Sequence, residues 1–216
     1  KIFAAPGNPG MAEHGECVPL GVTQLSELAD LAEREQIDLT IVGPEVPLIE
    51  GIVDVFQRRG LKIFGPASAG AALEGSKAFA KELMAAAHIP TAQHRTFSST
   101  ELALAYLEEH GAPVVIKADG NAAGKGAIVA LEMETAREAV RQMMVDHVFG
   151  DAGNIVVIED YLQGDEISVT AACHGTHYLP LAVTQDHKRA LDNDQGLNTG
   201  GMGAYNPLPF VDAEME

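Results

Sequence analysis

The stretch DLTIVGP, residues 38–44, is apolar through its middle with no polar alternation. That is the pattern of a strand buried on both faces, as in parallel sheets. Helical patterns flank it. TQLSELADLAEREQ (23–36) puts Leu25, Leu28, Ala29 and Ala32 on one face, with Thr23 as N-cap. LIEGIVDVFQRRG (48–60) reads as one amphipathic helix closing at Gly60. KIFAA (1–5) and LKIFGP (61–66) add short apolar strands. The order β-α-β-α-β requires a doubly wound α/β domain, whose ligands bind outside the carboxyl ends of the strands. APGN (5–8) and GPE (43–45) fall at those ends, although the same residue types also serve ordinary turns.

Beyond residue 75 the pattern changes. SKAFAKELMAAAHI (76–89) is a helix capped by Ser76 and stopped before Pro90. TAQHRTF (91–97) is strand-like, and STELALAYLEEHG (99–111) is a helix capped at Ser99 or Thr100. PVVIKA (113–118) and AIVAL (127–131) are β-branched strands on either side of DGNAAGKG, and ETAREAVRQMMVDHVFG (134–150) is a helix. NIVVIEDYL (154–162) is a strand; DEISVTAACHG (165–175) and HYLPLAVTQ (177–185) are two more, joined by a tight turn. The remainder, DHKRALDNDQGLNTGGMGAYNPLP (186–209), is polar and glycine-rich and reads as a long functional loop.

DGNAAGKG is not a P-loop. Only three residues separate Gly120 from Gly124, Gly126 follows Lys125 where a hydroxyl would stand, and a strand follows where a helix would. A β-hairpin with a glycine-rich tip fits, either as a plain turn or as a cover over a triphosphate. Lys117 stands in an otherwise apolar strand. A buried lysine needs an anion, and the neighbouring glycines point to a phosphate, unless Lys117 lies on an edge and faces solvent. Lys77 opens a helix against its dipole, which suits a second phosphate or a surface position. Glu159 and Glu166 bracket a strand end able to offer backbone groups to an adenine edge and a carboxylate to ribose, or are surface acids. Asp186 to Arg189 and the glycines from Gly200 form a polar cluster whose backbone can approach an anion closely. Cys173, His174 and His177 lack a fourth zinc ligand, and no G-x-S-x-G or H-E-x-x-H motif occurs.

Composition narrows the partners. With 14 basic and 31 acidic residues the net charge is −17, against nucleic acid as a ligand but not against a nucleotide held by a few lysines. Two cysteines make no disulfide framework, which fits a reducing cytoplasm. No apolar run reaches membrane-span length. The chain opens without methionine and ends at VDAEME, where a helix is expected to start; a piece of a longer protein is expected.

The strings APGN, DLTIVGPEVPL, KIFGP, LEGSKAFAK, VIKADGNAAGKG, VFGDAG, QDHKR and NTGGMGAYNP, in this order over essentially the whole chain, resemble the glycinamide ribonucleotide synthetase family of the ATP-grasp superfamily. The resemblance implies an α/β fold: a Rossmann-like pre-ATP-grasp domain (1–74), a linker helix (75–91), an ATP-grasp lid (92–162) and the start of the ATP-grasp core (163–216). It implies Lys77 and Lys117 on ATP phosphates under a mobile loop containing Gly120, Gly124, Lys125 and Gly126. Glu159, Tyr161 and Leu162 would form the adenine hinge, and Glu166 would bind ribose. Asp186 and Lys188 would be catalytic. Asn198, Thr199, Gly200 and Gly201 would face substrate, and Pro6, Gly7, Asn8, Gly43, Pro44 and Glu45 would line the phosphoribosylamine side.

By the same resemblance the reaction joins glycine to phosphoribosylamine through glycyl phosphate, in a cytoplasmic monomer or a fusion with other purine-pathway domains, without nucleic acid or membrane. Mg²⁺ or Mn²⁺ would take its main ligands from residues after Glu216. The family's N-terminal glycine-rich turn would precede Lys1, and its metal-binding Glu and Asn and a catalytic Arg would follow Glu216, so this chain alone is expected to lack complete Mg²⁺ ligation and to be weakly active or inactive. Leu197 stands where the family pattern leads one to expect proline. Two other readings share much of this pattern: another ATP-grasp carboxylate–amine ligase, which QDHKR and NTGGMGAY disfavour, and a non-catalytic nucleotide-binding module.

Overall fold

The computed structural model describes residues 1–120, 122, 126–187, 189–192, 195–199 and 203–212. The chain divides into two compact units, Lys1–Thr91 and Ala92–Glu216.

The first unit runs β1 (Phe3–Ala4), α1 (Pro9–Ala12), β2 (Glu16–Cys17), α2 (Leu25–Arg34), β3 (Thr40–Ile41), α3 (Glu45–Ile49), α4 (Ile52–Arg58), β4 (Ile63–Phe64), α5 (Ser68–Gly75) and α6 (Lys77–Ala86). The alternation of strand and helix is as expected, but the strands are short. Among the described residues they form two separate parallel pairs, β1 with β2 and β3 with β4. The two-residue β2 carries no readable periodicity, so pattern alone passes over it. Ala29 and Ala32 of α2 pack with Ile52, Val53 and Phe56 of α4, and Leu25 and Leu28 flank this core. The apolar face read from α2 is therefore the one that packs.

Three caps test the local reading. Ser76 accepts from Phe79 N at 3.1 Å and starts α6 as expected. Gly60, at φ +70, follows the end of α4 in the left-handed conformation expected of it. Thr23, however, does not cap α2. The helix starts after Gln24, whose Oε1 instead accepts from Gly21 N at 2.7 Å and closes the preceding turn. Nor is 48–60 one helix. Gly51 adopts φ +90, so α3 ends and α4 starts anew; an amphipathic period continues across such a break and conceals it.

The second unit begins with β5 (His94–Phe97), α7 (Thr100–His110), β6 (Val114–Ala118), β7 (Ala127–Ala130), α8 (Met133–Met144), a 3-10 turn at Gly150–Asn154 and β8 (Val156–Asp160). Ser99 accepts from Leu102 N at 3.2 Å and caps α7. The strands make one antiparallel sheet in the order β5-β8-β6-β7. One face carries Val114, Ile116, Ala118, Val156 and Ile158, packed with Leu107 of α7 and Val140 and Met143 of α8. Each fully buried large aliphatic side chain there contributes about 1.5–3 kcal/mol. Arg137 of α8 donates to both carboxylate oxygens of Glu108 on α7, at 2.6 and 3.0 Å.

After β8 come β9 (Ala171–His174) and β10 (His177–Pro180), an antiparallel hairpin turned at Gly175, φ +58. The tail 186–209 is not the long loop expected. Its described part contains β11 (Gln185–Asp186), β12 (Arg189–Leu191), β13 (Gln195–Asn198) and β14 (Ala204–Tyr205), paired β11 with β14 and β12 with β13. Nested hairpins satisfy the backbone of a polar stretch without needing an apolar pattern. The helix expected after Asp212 lies outside the described residues. No helix among them is long and apolar enough to cross a membrane.

Several carboxylates are tuned by these contacts. The Ser68 N–H holds Asp54 below its ordinary value, the Ser99 hydroxyl lowers Glu101, and Arg137 lowers Glu108. Their folded values lie below the unfolded ones. The stability they carry is thus fully present above the unfolded values and lost as pH falls through the folded ones. Unfolding stability should therefore decline as pH drops below about 4.5, and Asp54→Asn combined with Glu108→Gln should flatten that decline. Urea midpoints measured from about pH 3 to 7 test this; equal acid slopes in the wild type and the variant would contradict it.

Candidate functional site

Strand β6 alternates strictly. Val114, Ile116 and Ala118 are fully buried beneath the helices, so Val115 and Lys117 project from the opposite face. On β8, Glu159 projects from that second face, because it sits opposite Val115 in the ladder. Lys117 and Glu159 are therefore diagonal neighbours, and Lys117 Nζ donates to Glu159 Oε2 at 2.9 Å. The Glu159 side chain is only 6% exposed, while that of Lys117 is 29% exposed. The anion expected for the strand-borne lysine is thus, in this structure, a carboxylate of the neighbouring strand. The ammonium stays open to solvent and to any further anion. His94 lies opposite Glu159 on β5 and shares this face. Sequence reading passed over it; only the register of β5 on β8 brings it there.

Leaving β6, Asp119 N donates to Ile155 O at 3.0 Å and Gly120 N to Ala152 O at 3.4 Å. Just before the returning strand, the Gly126 carbonyl accepts from Ala118 N at 2.8 Å. A hairpin therefore stands where one was expected. Gly124 and Lys125 lie outside the described residues. A depression of about 580 Å³ opens beside the hairpin base, lined by Asp119, Gly120, Phe149, Asp151, Ala152, Asn154 and Ile155.

At the other end of β8, Asp160 meets His110 Nε2 at 3.1 Å, and His110 Nδ1 meets the Tyr106 hydroxyl, also at 3.1 Å. Burial raises the Tyr106 hydroxyl above its ordinary value. This chain of contacts ties α7 to the strand end from which Tyr161, half-buried, and Leu162, exposed, emerge. Glu166 is exposed; its carbonyl accepts from Gln185 Nε2 at 3.0 Å, which brings it beside β11 and Asp186. Asn198 ends β13 and Thr199 is half-buried. Lys188, Gly200 and Gly201 lie outside the described residues.

In the first unit, Pro6, Gly7 and Asn8 follow β1, and Gly43, Pro44 and Glu45 follow β3, all at carboxyl ends of parallel strands. Gly7 is constrained twice. It adopts φ +80, and a Cβ there would lie 2.3 Å from Cys17 Sγ. Asn8 caps α1 by accepting from Met11 N at 2.9 Å, while Gly43, Pro44 and Glu45 are exposed. Lys77, the first residue of α6, is half-buried.

A covered antiparallel sheet with a lysine facing out beside a glycine-rich hairpin, preceded by a parallel α/β unit, defines a chain of the ATP-grasp fold. A biotin carboxylase from Campylobacter jejuni shares this fold at TM-score 0.76 and 16% identity, covering 98% of this chain and 49% of that one. Residues 1–74 match the family model for the phosphoribosylglycinamide synthetase N domain, and residues 75–216 that for its ATP-grasp (A) domain. The chain belongs to the phosphoribosylglycinamide synthetase family. It is 55% identical over 212 residues to the phosphoribosylamine–glycine ligase of Escherichia coli K12, covering 97% of this chain and 49% of that protein. It is also 55% identical over 217 residues to the Pseudomonas aeruginosa phosphoribosylamine–glycine ligase, covering 100% and 50%. The crystal structure of the Thermotoga maritima phosphoribosylamine–glycine ligase superposes at TM-score 0.80 with 28% identity, covering 98% of this chain and 50% of that one. The chain thus spans about half the length of these relatives.

The Lys117–Glu159 pair has a measurable consequence. Removing the ammonium alone leaves a buried carboxylate facing a lost partner, a loss that partial exposure of Lys117 moderates to about 2 kcal/mol. Lys117→Met should therefore lower stability by roughly that amount, and adding Glu159→Gln should recover most of it. Denaturant titration of both variants is the check; additive losses would show that the two residues do not interact.

Proposed function

We propose that the protein of which this chain forms part joins glycine to 5-phosphoribosylamine at the expense of ATP, giving glycinamide ribonucleotide, ADP and phosphate. The observation that carries the reading is the family match over the whole chain, N domain and ATP-grasp domain in succession. The glycine carboxylate attacks the γ-phosphorus of ATP and ADP leaves, giving glycyl phosphate. The amine of phosphoribosylamine then attacks the acyl carbon, phosphate leaves and the amide forms.

No covalent enzyme intermediate is needed. The chain's residues act by position and charge, which suits phosphoryl transfer. Lys117 offers its solvent-facing ammonium to a nucleotide phosphate, and Lys77 takes a second phosphate contact. Gly120, Gly124, Lys125 and Gly126 cover the phosphates, and their closure limits access of water to the acyl phosphate. Tyr161 and Leu162 present backbone groups to the adenine edge and Glu166 takes the ribose hydroxyls. Glu159, assigned to the hinge from sequence, supports Lys117 through its side chain and can serve adenine only through its backbone. Asp186 and Lys188, with Asn198 to Gly201, face glycine and the acyl phosphate. Pro6 to Asn8 and Gly43 to Glu45 face phosphoribosylamine.

A divalent cation, when bound, neutralises charge on the transferring phosphoryl group. Among the described residues no group of three or more His, Cys, Asp or Glu could hold one, so no step is assigned to a metal through them.

In the full-length protein, sustained ADP release over many turnovers should require both glycine and phosphoribosylamine. Lys117→Ala should raise KM for ATP by about tenfold or more, as loss of a charge-assisted contact demands. Steady-state kinetics with each substrate varied is the measurement. ADP release indifferent to glycine would sink the reading, and an unchanged KM for ATP would sink the role of Lys117.

A further inference from the structure

The segment VFGDAG (148–153) is used neither by the reaction nor by the nucleotide contacts above. It nevertheless meets the hairpin at its base. An ideal Cβ on Gly120 would lie 2.9 Å from Ala152 Cβ and 3.0 Å from Ala152 Cα. The Cα belongs to backbone that cannot swing aside as a side chain would. Gly120 does not have positive φ, so glycine is required here for proximity and not for conformation. Backbone bonds fix the same approach: Asp119 N to Ile155 O at 3.0 Å and Gly120 N to Ala152 O at 3.4 Å.

The turn is itself held from behind. Gly153 is buried, and a Cβ there would fall 2.2 Å from the carbonyl oxygen of Met143, in the last turn of α8. Met143 is fully buried in the core beneath the sheet, and Phe149 and Ala152 pack against the same core. A rigid series of contacts therefore runs from the core through Met143 and Gly153 to Ala152 and Gly120, where the hairpin leaves β6. Close packing of this kind transmits displacement instead of absorbing it.

We propose that the 3-10 turn Gly150–Asn154 is a positioning element for the glycine-rich hairpin, with Ala152 and Gly153 acting through Gly120 to set where the hairpin leaves the sheet relative to Lys117. The inference rests on the reading that this hairpin serves ATP. It assigns Gly120 a steric role in addition to any phosphate contact, and it predicts that disturbing the seat affects ATP selectively.

Kinetics of the full-length protein test this with Gly120→Ala, Ala152→Gly, Ala152→Val and the double variant Gly120→Ala/Ala152→Gly. Gly120→Ala should raise KM for ATP about tenfold while KM for glycine changes less than about twofold, because misplacement at a positioning contact acts on the ligand it positions. The double variant removes the methyl opposing the new Cβ but leaves Ala152 Cα 3.0 Å away, so it should recover part of the loss and not all of it. Ala152→Val presses on Gly120 from the other side and should reproduce the defect with Gly120 intact. Should Gly120→Ala fail to fold, Ala152→Val and Ala152→Gly decide the matter, the first raising KM for ATP and the second leaving KM for glycine unmoved. KM values for ATP and glycine rising together, or a double variant no better than Gly120→Ala, would overturn the inference while an active wild type upholds the functional reading. A wild type without ATP-dependent turnover would overturn both.

Discussion

The two-residue period of β6 is the constraint on which the rest of the second unit depends. Val114, Ile116 and Ala118 are driven under α7 and α8 by burial of their apolar surface. Once they are fixed there, Lys117 has no choice of face. A shift of register by one residue would put the ammonium into the core and Val114, Ile116 and Ala118 outside, and the cost of an unpaired buried charge rules that out. The same ladder carries Glu159 to the second face. A hydrophobic preference on one side of the sheet thus arranges an ion pair on the other, with no residue of the pair taking part in the driving force.

On the proposed reading, the pair also bears on how a chain of net charge −17 can receive a polyanion. Long-range attraction is absent, since solution charges are screened within roughly 10 Å at ordinary salt. Local arrangement must do what global charge does not. Glu159 is almost entirely buried and Lys117 is about a third exposed. The carboxylate therefore anchors the lysine from within, and the outer side of the ammonium stays available. On the proposed reading, phosphate binding adds a second anion to a cation already oriented, so little side-chain freedom is lost on binding.

The sequence disclosed what depends on period and caps. The alternation of β6, the apolar face of α2, the Ser76 and Ser99 caps and the left-handed Gly60 are local events with local signals. What it concealed depends on partners remote in the chain. The break at Gly51 lies inside an unbroken amphipathic period, and β2 is too short to have one. The strands of the polar tail pair with one another, β11 with β14 and β12 with β13, in a stretch whose sequence has no apolar alternation to announce them. The site shows the same division. Lys117 announced a need for an anion, because a lysine among valines is costly anywhere. That Glu159 answers it, and that His94 shares the face, follows only from registers spanning 42 and 65 residues.

Glycine illustrates why motif and mechanism need not coincide. Read as a string, DGNAAGKG shows flexible backbone near a phosphate, and each glycine looks interchangeable with the next. In the structure they differ. Gly126 meets Ala122, with an ideal Cβ 2.5 Å from that methyl, whereas Gly120 meets the backbone of Ala152. The first contact is with a side chain of the hairpin itself and the second with an element fastened to the core. Gly120 therefore registers the hairpin to the sheet. On the proposed reading, a glycine-rich segment that closes over a nucleotide needs such a fixed end, because a loop free at both ends would lose more conformational entropy on ordering. The close approach at Gly120 and that of Gly153 to the Met143 carbonyl are thus two parts of one support, which explains the glycine at position 153 of VFGDAG.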